Sequence, residues 1–179
     1  VALAASYDQT AKISSISKPA TVDFDGPQGI VGSITDHTQY TAFPSEPIVA
    51  ATFNKNLARE MGDRVGQEAA AARINSWYAP AADIHRTPFS GRNFEYFSED
   101  PTLSGFMLTS EVSGAAGQGL ITTIKHFALN DQEMYNKDRS RVATWANEQA
   151  MREIYLKPFE MAVKDAKMTI KYVDSKKQT

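Results

Sequence analysis

Short β-prone segments alternate along this 179-residue chain with longer segments of helical periodicity. Four segments rich in β-branched, aromatic or other apolar residues predict strands, at 21–24, 74–79, 120–127 and 168–173. Three segments with apolar residues three or four positions apart predict helices, at 54–73, 101–116 and 147–166. Pro158 lies inside the last of these and predicts a kink or two helices in series. Residues 80–100 form a long polar loop.

This alternation of strands and helices predicts an α/β fold built from parallel βαβ units. A complete (β/α)8 TIM-type barrel typically takes about 250 residues, so this chain supplies roughly half of one. An open, doubly wound sheet is the alternative architecture. It usually carries a glycine-rich phosphate-binding turn after its first strand, and Asp25-Gly26-Pro27-Gln28-Gly29 is not such a turn.

Composition excludes several classes of protein. The chain is 42% hydrophobic and 22% charged, with 19 basic and 21 acidic residues and a net charge of −2. That balance argues against nucleic acid as a partner. No stretch approaches the roughly 18 apolar residues of a transmembrane helix, which argues against a membrane protein. The absence of cysteine excludes disulfides, thiolate metal sites and a cysteine nucleophile.

Candidate functional residues follow the predicted strands, because α/β barrels place their chemistry at the C-terminal strand ends. Asp25 ends the first strand, Arg92 lies in the loop after the second, and Lys125 and His126 end the third. A lysine at the end of an apolar strand is expected to meet a carboxylate or a ligand. A carboxylate beside several donors suits a sugar, because sugar hydroxyls both donate and accept hydrogen bonds.

Each candidate also has a purely structural alternative. Asp25 could bond the backbone of its own turn. Arg92 could pair with Glu95, Glu99 or Asp100 of its own loop. Lys125 could extend to solvent, and His126 could cap the strand. These alternatives stay open from the residues alone.

Neither a metal nor another cofactor is expected. The three histidines, His37, His85 and His126, lack metal-ligand spacing such as His-Glu-x-x-His. No Gly-x-Ser-x-Gly motif occurs, which argues against a serine hydrolase.

Five ordered motifs resemble the N-terminal barrel of family 3 glycoside hydrolases. They are Asp-Phe-Asp-Gly-Pro-Gln-Gly-Ile (23–30), Ala-Phe-Pro-Ser (42–45), Gly-Arg-Asn-Phe-Glu-Tyr-Phe-Ser-Glu-Asp-Pro (91–101), Ile-Lys-His-Phe-Ala-Leu-Asn-Asp-Gln-Glu (124–133) and Asn-Glu-Gln-Ala-Met-Arg-Glu-Ile-Tyr-Leu-Lys-Pro-Phe-Glu (147–160). The likeness is to the β-glucosidase branch, since Ala128 and Leu129 stand where the N-acetylglucosaminide-cleaving branch has Pro-Gly. The resemblance implies the first half of the catalytic barrel in a single partial domain, 1–179, with an atypical tail at 167–179.

The family resemblance also implies an activity and a set of binding residues. The activity is hydrolysis of terminal non-reducing β-D-glucosyl residues of a β-glucoside or oligosaccharide, with retention, through a covalent intermediate. Asp25, Arg92, Lys125 and His126 match positions that bind the sugar hydroxyls in this family. Tyr172 is a further candidate, matching a tyrosine near the nucleophile, although its flanking residues fit poorly.

The expected catalytic carboxylates are missing from these 179 residues. The family's nucleophile lies in a Ser-Asp-Trp-like motif on a later strand, and its acid/base glutamate comes from a second domain or a distant loop. Asp174, at the end of the fourth predicted strand, is the only obvious stand-in. We therefore expect the isolated chain to be inactive, and its open sheet edges to favour self-association or pairing with a complementary barrel half. The alternative is a non-catalytic sugar-binding or self-associating half barrel.

Overall fold

The computed structural model describes residues 5–6, 9–31, 39–132 and 142–167. Five strands are present in this part of the chain: β1 (Ala5–Ser6), β2 (Gln9–Thr10), β3 (Thr21–Asp25), β4 (Ser76–Tyr78) and β5 (Ile121–Thr122). Its α-helices are α1 (Glu46–Ala51), α2 (Lys55–Ala71), α3 (Pro101–Gly117), α4 (Glu148–Ala150) and α5 (Lys157–Asp165). Short 3-10 helices occupy Ser14–Ile16 and Asn93–Glu95, and a π-helical turn occupies Met151–Tyr155.

The sheet has the strand order β1-β2-β3-β4-β5. Strands β3, β4 and β5 are parallel, and Asp25 at the end of β3 lies opposite Tyr78 at the end of β4. Strands β1 and β2 add an antiparallel hairpin beside β3 that was not predicted. Helix α2 precedes β4 and helix α3 precedes β5, as parallel βαβ units require. All three parallel strands therefore end at one edge of the sheet.

Helices α2 and α3 each begin directly after a residue whose side chain caps the helix. The Asn54 side chain accepts hydrogen bonds from the amides of Asn56 and Leu57, and Asp100 accepts them from Thr102 and Leu103. These two helices pack closely because glycine occurs at their contacts. A Cβ on Gly62 would lie 2.0 Å from the Glu111 carbonyl oxygen, and one on Gly114 would lie 2.1 Å from that of Arg59. Within the described residues, no helix is both long and apolar enough to cross a bilayer.

Trp77 of β4 lies at the centre of one of two hydrophobic clusters and is fully buried. Its indole Nε1 donates to the Gly26 carbonyl at 2.8 Å, so its one polar atom is paired. Val65 and Ala69 of α2 pack in the same cluster, whereas Leu57 of the same helix is 43% exposed. The Trp77 bond ties the turn that follows Asp25 to the neighbouring parallel strand.

The predicted third strand, 120–127, is longer than the observed one. Regular pairing ends at Thr122, although the Thr123 amide still donates to Trp77 and the Lys125 amide to Pro80. The chain then turns, because the amides of His126 and Asn130 donate to the side chain of Asp83 and not to a strand. The predicted second strand, 74–79, is likewise reduced to Ser76–Tyr78.

The C-terminal helical segment breaks earlier than the position of Pro158 predicted. The π-helical turn Met151–Tyr155 lies before the break, and Pro158 is the second residue of α5. Proline is tolerated there because the first-turn amides of a helix have no intrahelical partner. The predicted strand 168–173 lies outside the described residues.

Two carboxyl side chains, Glu46 of α1 and Glu111 of α3, are buried completely and face no cation among the described residues. Burial, the neighbouring Glu111 and the charge of Glu95 raise the pKa of Glu46 well above its ordinary value. Burial raises the pKa of Glu111 to about 8, although the neighbouring Glu46 carboxyl acts in the opposite direction. The pair is therefore protonated in the folded state at neutral pH.

This pair predicts a stability that declines with pH. Unfolded glutamates lose their protons near pH 4.5, whereas Glu111 in the folded state has a pKa of about 8 and the pKa of Glu46 is also raised, so the folded state binds more protons in between. The free energy of unfolding falls as pH rises through that window. We expect Glu111→Gln to flatten this dependence and to be more stable than the wild type at pH 8, measured by urea unfolding from pH 5 to 9. Glu153→Gln, on an exposed helical face, is the matched control and keeps the slope. A wild-type stability independent of pH would contradict the assignment.

Candidate functional site

The candidate site lies at the edge where the parallel strands end. Asp25 is the last residue of β3, and Lys125 follows β5 by three residues. Lys125 Nζ donates to Asp25 Oδ1 at 2.5 Å, which joins positions 100 residues apart in the chain. This contact depends on both strands running in the same direction, since only then do their carboxyl ends meet at one edge.

A second carboxylate, Glu95, lies on the other side of Lys125. Glu95 ends the 3-10 helix Asn93–Glu95, and its Oε2 is 3.6 Å from Lys125 Nζ. Its Oε1 accepts an ion-paired hydrogen bond from Arg92 Nε. Asp25, Lys125, Glu95 and Arg92 thus form a row of alternating charges that sums to zero, and we call these four residues the charge row.

Exposure differs sharply between the two acids of the charge row. The side chain of Asp25 is 41% exposed, whereas that of Glu95 is 3% exposed. Burial alone raises the pKa of Asp25, but the hydrogen bond and charge of Lys125, the Gly26 amide and the charge of Arg92 outweigh it. The pKa of Asp25 therefore lies below its ordinary value. Asp25 is an ionised, solvent-facing acceptor at neutral pH.

His126 is held beside the charge row by a buried carboxylate, Asp83. The two oxygens of Asp83 accept from the amides of His126 at 2.8 Å and Asn130 at 3.1 Å. The Tyr96 hydroxyl donates its only proton to the Asn130 carbonyl at 3.2 Å and lies 3.0 Å from His126 Nδ1. This arrangement favours the tautomer in which Nδ1 donates and Nε2 accepts.

The structure brings three of the four predicted binding residues, Asp25, Arg92 and Lys125, into one row of ion pairs. His126 follows Lys125 directly, and its ring bonds to Tyr96 on the other side. The contacts expected for a purely structural role are present as well. Asp25 accepts a hydrogen bond from the Gly26 amide of its own turn, and Arg92 pairs with Glu95. Tyr172 and Asp174 lie outside the described residues.

Neither Asp83 nor Tyr96 was assigned a role from the sequence, and both are almost fully buried. Asp83 stands between Ala82 and Ile84, and a lone carboxylate among apolar residues signals a buried acid that needs partners. Among the residues described, no three histidine or acidic side chains converge as they would around a metal ion.

The parallel strands, their intervening helices and the polar strand-end site define an α/β protein of the barrel type. The sequence profile described as "Glycosyl hydrolase family 3 N terminal domain" matches residues 1–172. Beta-glucosidase A of Butyrivibrio fibrisolvens is 41% identical over 155 residues, and Beta-glucosidase of Ruminococcus albus is 41% identical over 165. These matches cover 84% and 92% of this chain, but 18% and 17% of the relatives.

Solved structures give the same result. Beta-glucosidase 3B from Thermotoga neapolitana, solved in complex with glucose, superposes with a TM-score of 0.81 at 41% identity, over 93% of this chain and 24% of that one. The beta-glucosidase from Kluyveromyces marxianus superposes with a TM-score of 0.84 at 38% identity, over 91% and 19%. The chain belongs to glycosyl hydrolase family 3 and covers the N-terminal part of its barrel-type fold, which confirms the family and fold class predicted above. It spans less than a quarter of the length of these relatives.

Removing the Asp83 carboxylate tests how the His126 loop is held. Asp83→Ala leaves the amides of His126 and Asn130 without their acceptor, so we expect a loss of about 1–3 kcal/mol in the free energy of unfolding. The two amide proton resonances should shift upfield in 15N-resolved spectra. Asp83→Asn, which retains one acceptor oxygen, should keep one of the two bonds and lie between the wild type and the alanine variant. Equal stability of all three proteins would contradict this role.

Proposed function

We propose that this chain provides the part of a β-glucosidase that binds the terminal glucosyl residue. The complete enzyme hydrolyses terminal non-reducing β-D-glucosyl residues with retention. The observation that carries the proposal is Asp25, an ionised and partly exposed carboxylate held by Lys125 at the carboxyl edge of the parallel strands. The β-glucosidase names of the relatives, one of them solved with glucose, support the same substrate class.

The site's donors and acceptors match the hydroxyls of a sugar. Asp25 Oδ1 takes the bonds from Gly26 and Lys125, and no described group bonds Oδ2, so that oxygen can accept from a hydroxyl. Lys125 has three N–H donors and faces two carboxylates, which leaves a third donor for the sugar. His126 Nε2 supplies another acceptor in the tautomer that Tyr96 favours. Charge-assisted bonds of this kind are the strong ones in sugar recognition.

We propose that the nucleophile and the acid/base lie outside the described residues. A retaining glycosidase needs two carboxyl groups about 5–5.5 Å apart, and one of them must be protonated to act as an acid. Asp25 has a lowered pKa, and Glu95 is buried between two cations. Both acids of the charge row therefore serve binding, and residues 1–179 act as one partial domain of the larger enzyme.

A non-catalytic, self-associating half barrel is the second candidate. Strand β5 lies at one end of the described sheet, and its Ile121 is 60% exposed. An apolar strand at a sheet edge favours pairing with another strand. A complementary barrel half or a second copy of this chain is the partner that such an edge suits.

Glucose binding by the purified chain tests the proposal. We expect Asp25→Asn to weaken glucose binding about 10-fold, because it removes an ionic acceptor of the hydroxyls, as measured by NMR titration. Asp165→Asn, on the exposed end of α5, is the matched control and should bind like the wild type.

Turnover of a chromogenic aryl β-glucoside separates the two parts of the proposal. The chain alone is expected to bind glucose and to release no aryl alcohol. Turnover by the isolated chain would show that it carries its own nucleophile. An absence of glucose binding at saturating sugar would overturn the assignment of the binding site.

A further inference from the structure

We infer that Glu95 is a positioning residue of this site, a buried carboxylate that orients Arg92 and Lys125 together toward the sugar. The inference rests on the proposed function and extends it to a residue that does not itself face the sugar. Its two oxygens are divided between the two cations, Oε1 with Arg92 Nε and Oε2 with Lys125 Nζ. One side chain thereby sets the relative placement of both.

Burial makes this arrangement obligatory. The Glu95 side chain is 3% exposed, so water cannot solvate its charge, and the two cations must do so. Arg92 and Lys125 are themselves mostly buried, at 17% and 11% side-chain exposure. A long, flexible lysine or arginine side chain has many rotamers, and a shared buried anion restricts them. The entropic cost of fixing these two side chains is therefore smaller when a sugar binds.

The backbone that carries Glu95 is itself fixed. The Glu95 amide donates to the Arg92 carbonyl at 3.1 Å, which closes the short helix. His85 Nε2 contacts the carbonyls of Asn93 and Tyr96 on either side of Glu95, at 3.0 and 2.9 Å. The Asn93 side chain donates to the Thr87 carbonyl at 2.7 Å. These bonds hold the carboxylate of Glu95 on a rigid segment.

The interior behind Glu95 does not compete for its cations. Glu46 of α1 is the acid whose charge is felt there, and burial together with Glu111 keeps the pKa of Glu46 well above its ordinary value. Glu46 is therefore uncharged at neutral pH and does not attract Arg92 or Lys125. Asp25, unlike the buried Glu95, faces solvent and can contact the sugar directly. Glu95 acts through Arg92 and Lys125 instead.

A double-mutant cycle on glucose affinity tests this role. Glu95→Gln keeps the shape and removes the charge, and we expect it to weaken glucose binding about 10-fold in the wild-type background. In an Arg92→Ala background the same change should cost only about 3-fold, because one of its two routes of action is gone. A purely structural role would give the same fold-change in both backgrounds, and that result would overturn the inference.

Two further variants separate charge from packing. Glu95→Asp retains the charge but shortens the side chain, so its affinity should lie between those of the wild type and Glu95→Gln. Equal losses in the Asp and Gln variants would mean that packing, and not charge, is responsible. Glu99→Gln, an exposed acid of the same loop, is the matched control and should leave affinity unchanged.

A measurement without sugar keeps the inference testable if the proposed function fails. Hydrogen exchange of the Arg92 Nε proton, followed by NMR, should be about 10-fold faster in Glu95→Gln than in the wild type, since its buried acceptor has lost its charge. Unchanged exchange would overturn the positioning role even where glucose binds. Faster exchange in a chain that does not bind glucose would retain the role and reject only the sugar.

Discussion

The contact between Lys125 and the carboxylates of Asp25 and Glu95 is the interaction on which the arrangement of this site depends. A lysine side chain that is 11% exposed requires anions near its ammonium group, and two lie 2.5 and 3.6 Å from Lys125 Nζ. Asp25 and Lys125 come from parallel strands, whereas Glu95 comes from the loop after the strand between them. Any other strand order or direction would separate these three groups. The charge row therefore depends on the order and direction of the parallel strands.

The same logic of buried charge governs the interior behind the site. Glu46 and Glu111 have no cation among the described residues, so they are kept neutral by protonation, whereas Glu95 is paired with Arg92 and Lys125. Asp83 is handled in a third way, by two backbone amides. Three kinds of compensation allow four acids to lie within one small domain. Asp25 differs from these four acids, since its side chain is 41% exposed.

Local signals predicted much of the fold and part of the site. The apolar periodicity predicted α2 and α3, and the strand ends predicted where Asp25 and Lys125 would lie. Longer-range effects could not be predicted in this way. The shortening of β5 follows from Asp83, which binds amides 43 and 47 residues further along the chain. The pairing of Glu95 with both Arg92 and Lys125 could not be predicted either, because Lys125 is 30 residues further along the chain and only the fold brings it beside Glu95. The hairpin of β1 and β2 pairs two residues at a time, too few for a periodic pattern to show.

The chain belongs to a family, and it covers less than a quarter of the length of the relatives named above. The central proposal for this chain is a preformed charge row that binds a glucosyl residue. A crystal structure of the chain grown in saturating glucose tests it most directly. The account predicts a hexose with hydroxyls about 3 Å from the Asp25 carboxylate and Lys125 Nζ, and with the Glu95 pairs unchanged. Glucose bound away from Asp25, or a charge row that rearranges to admit it, would contradict the claim.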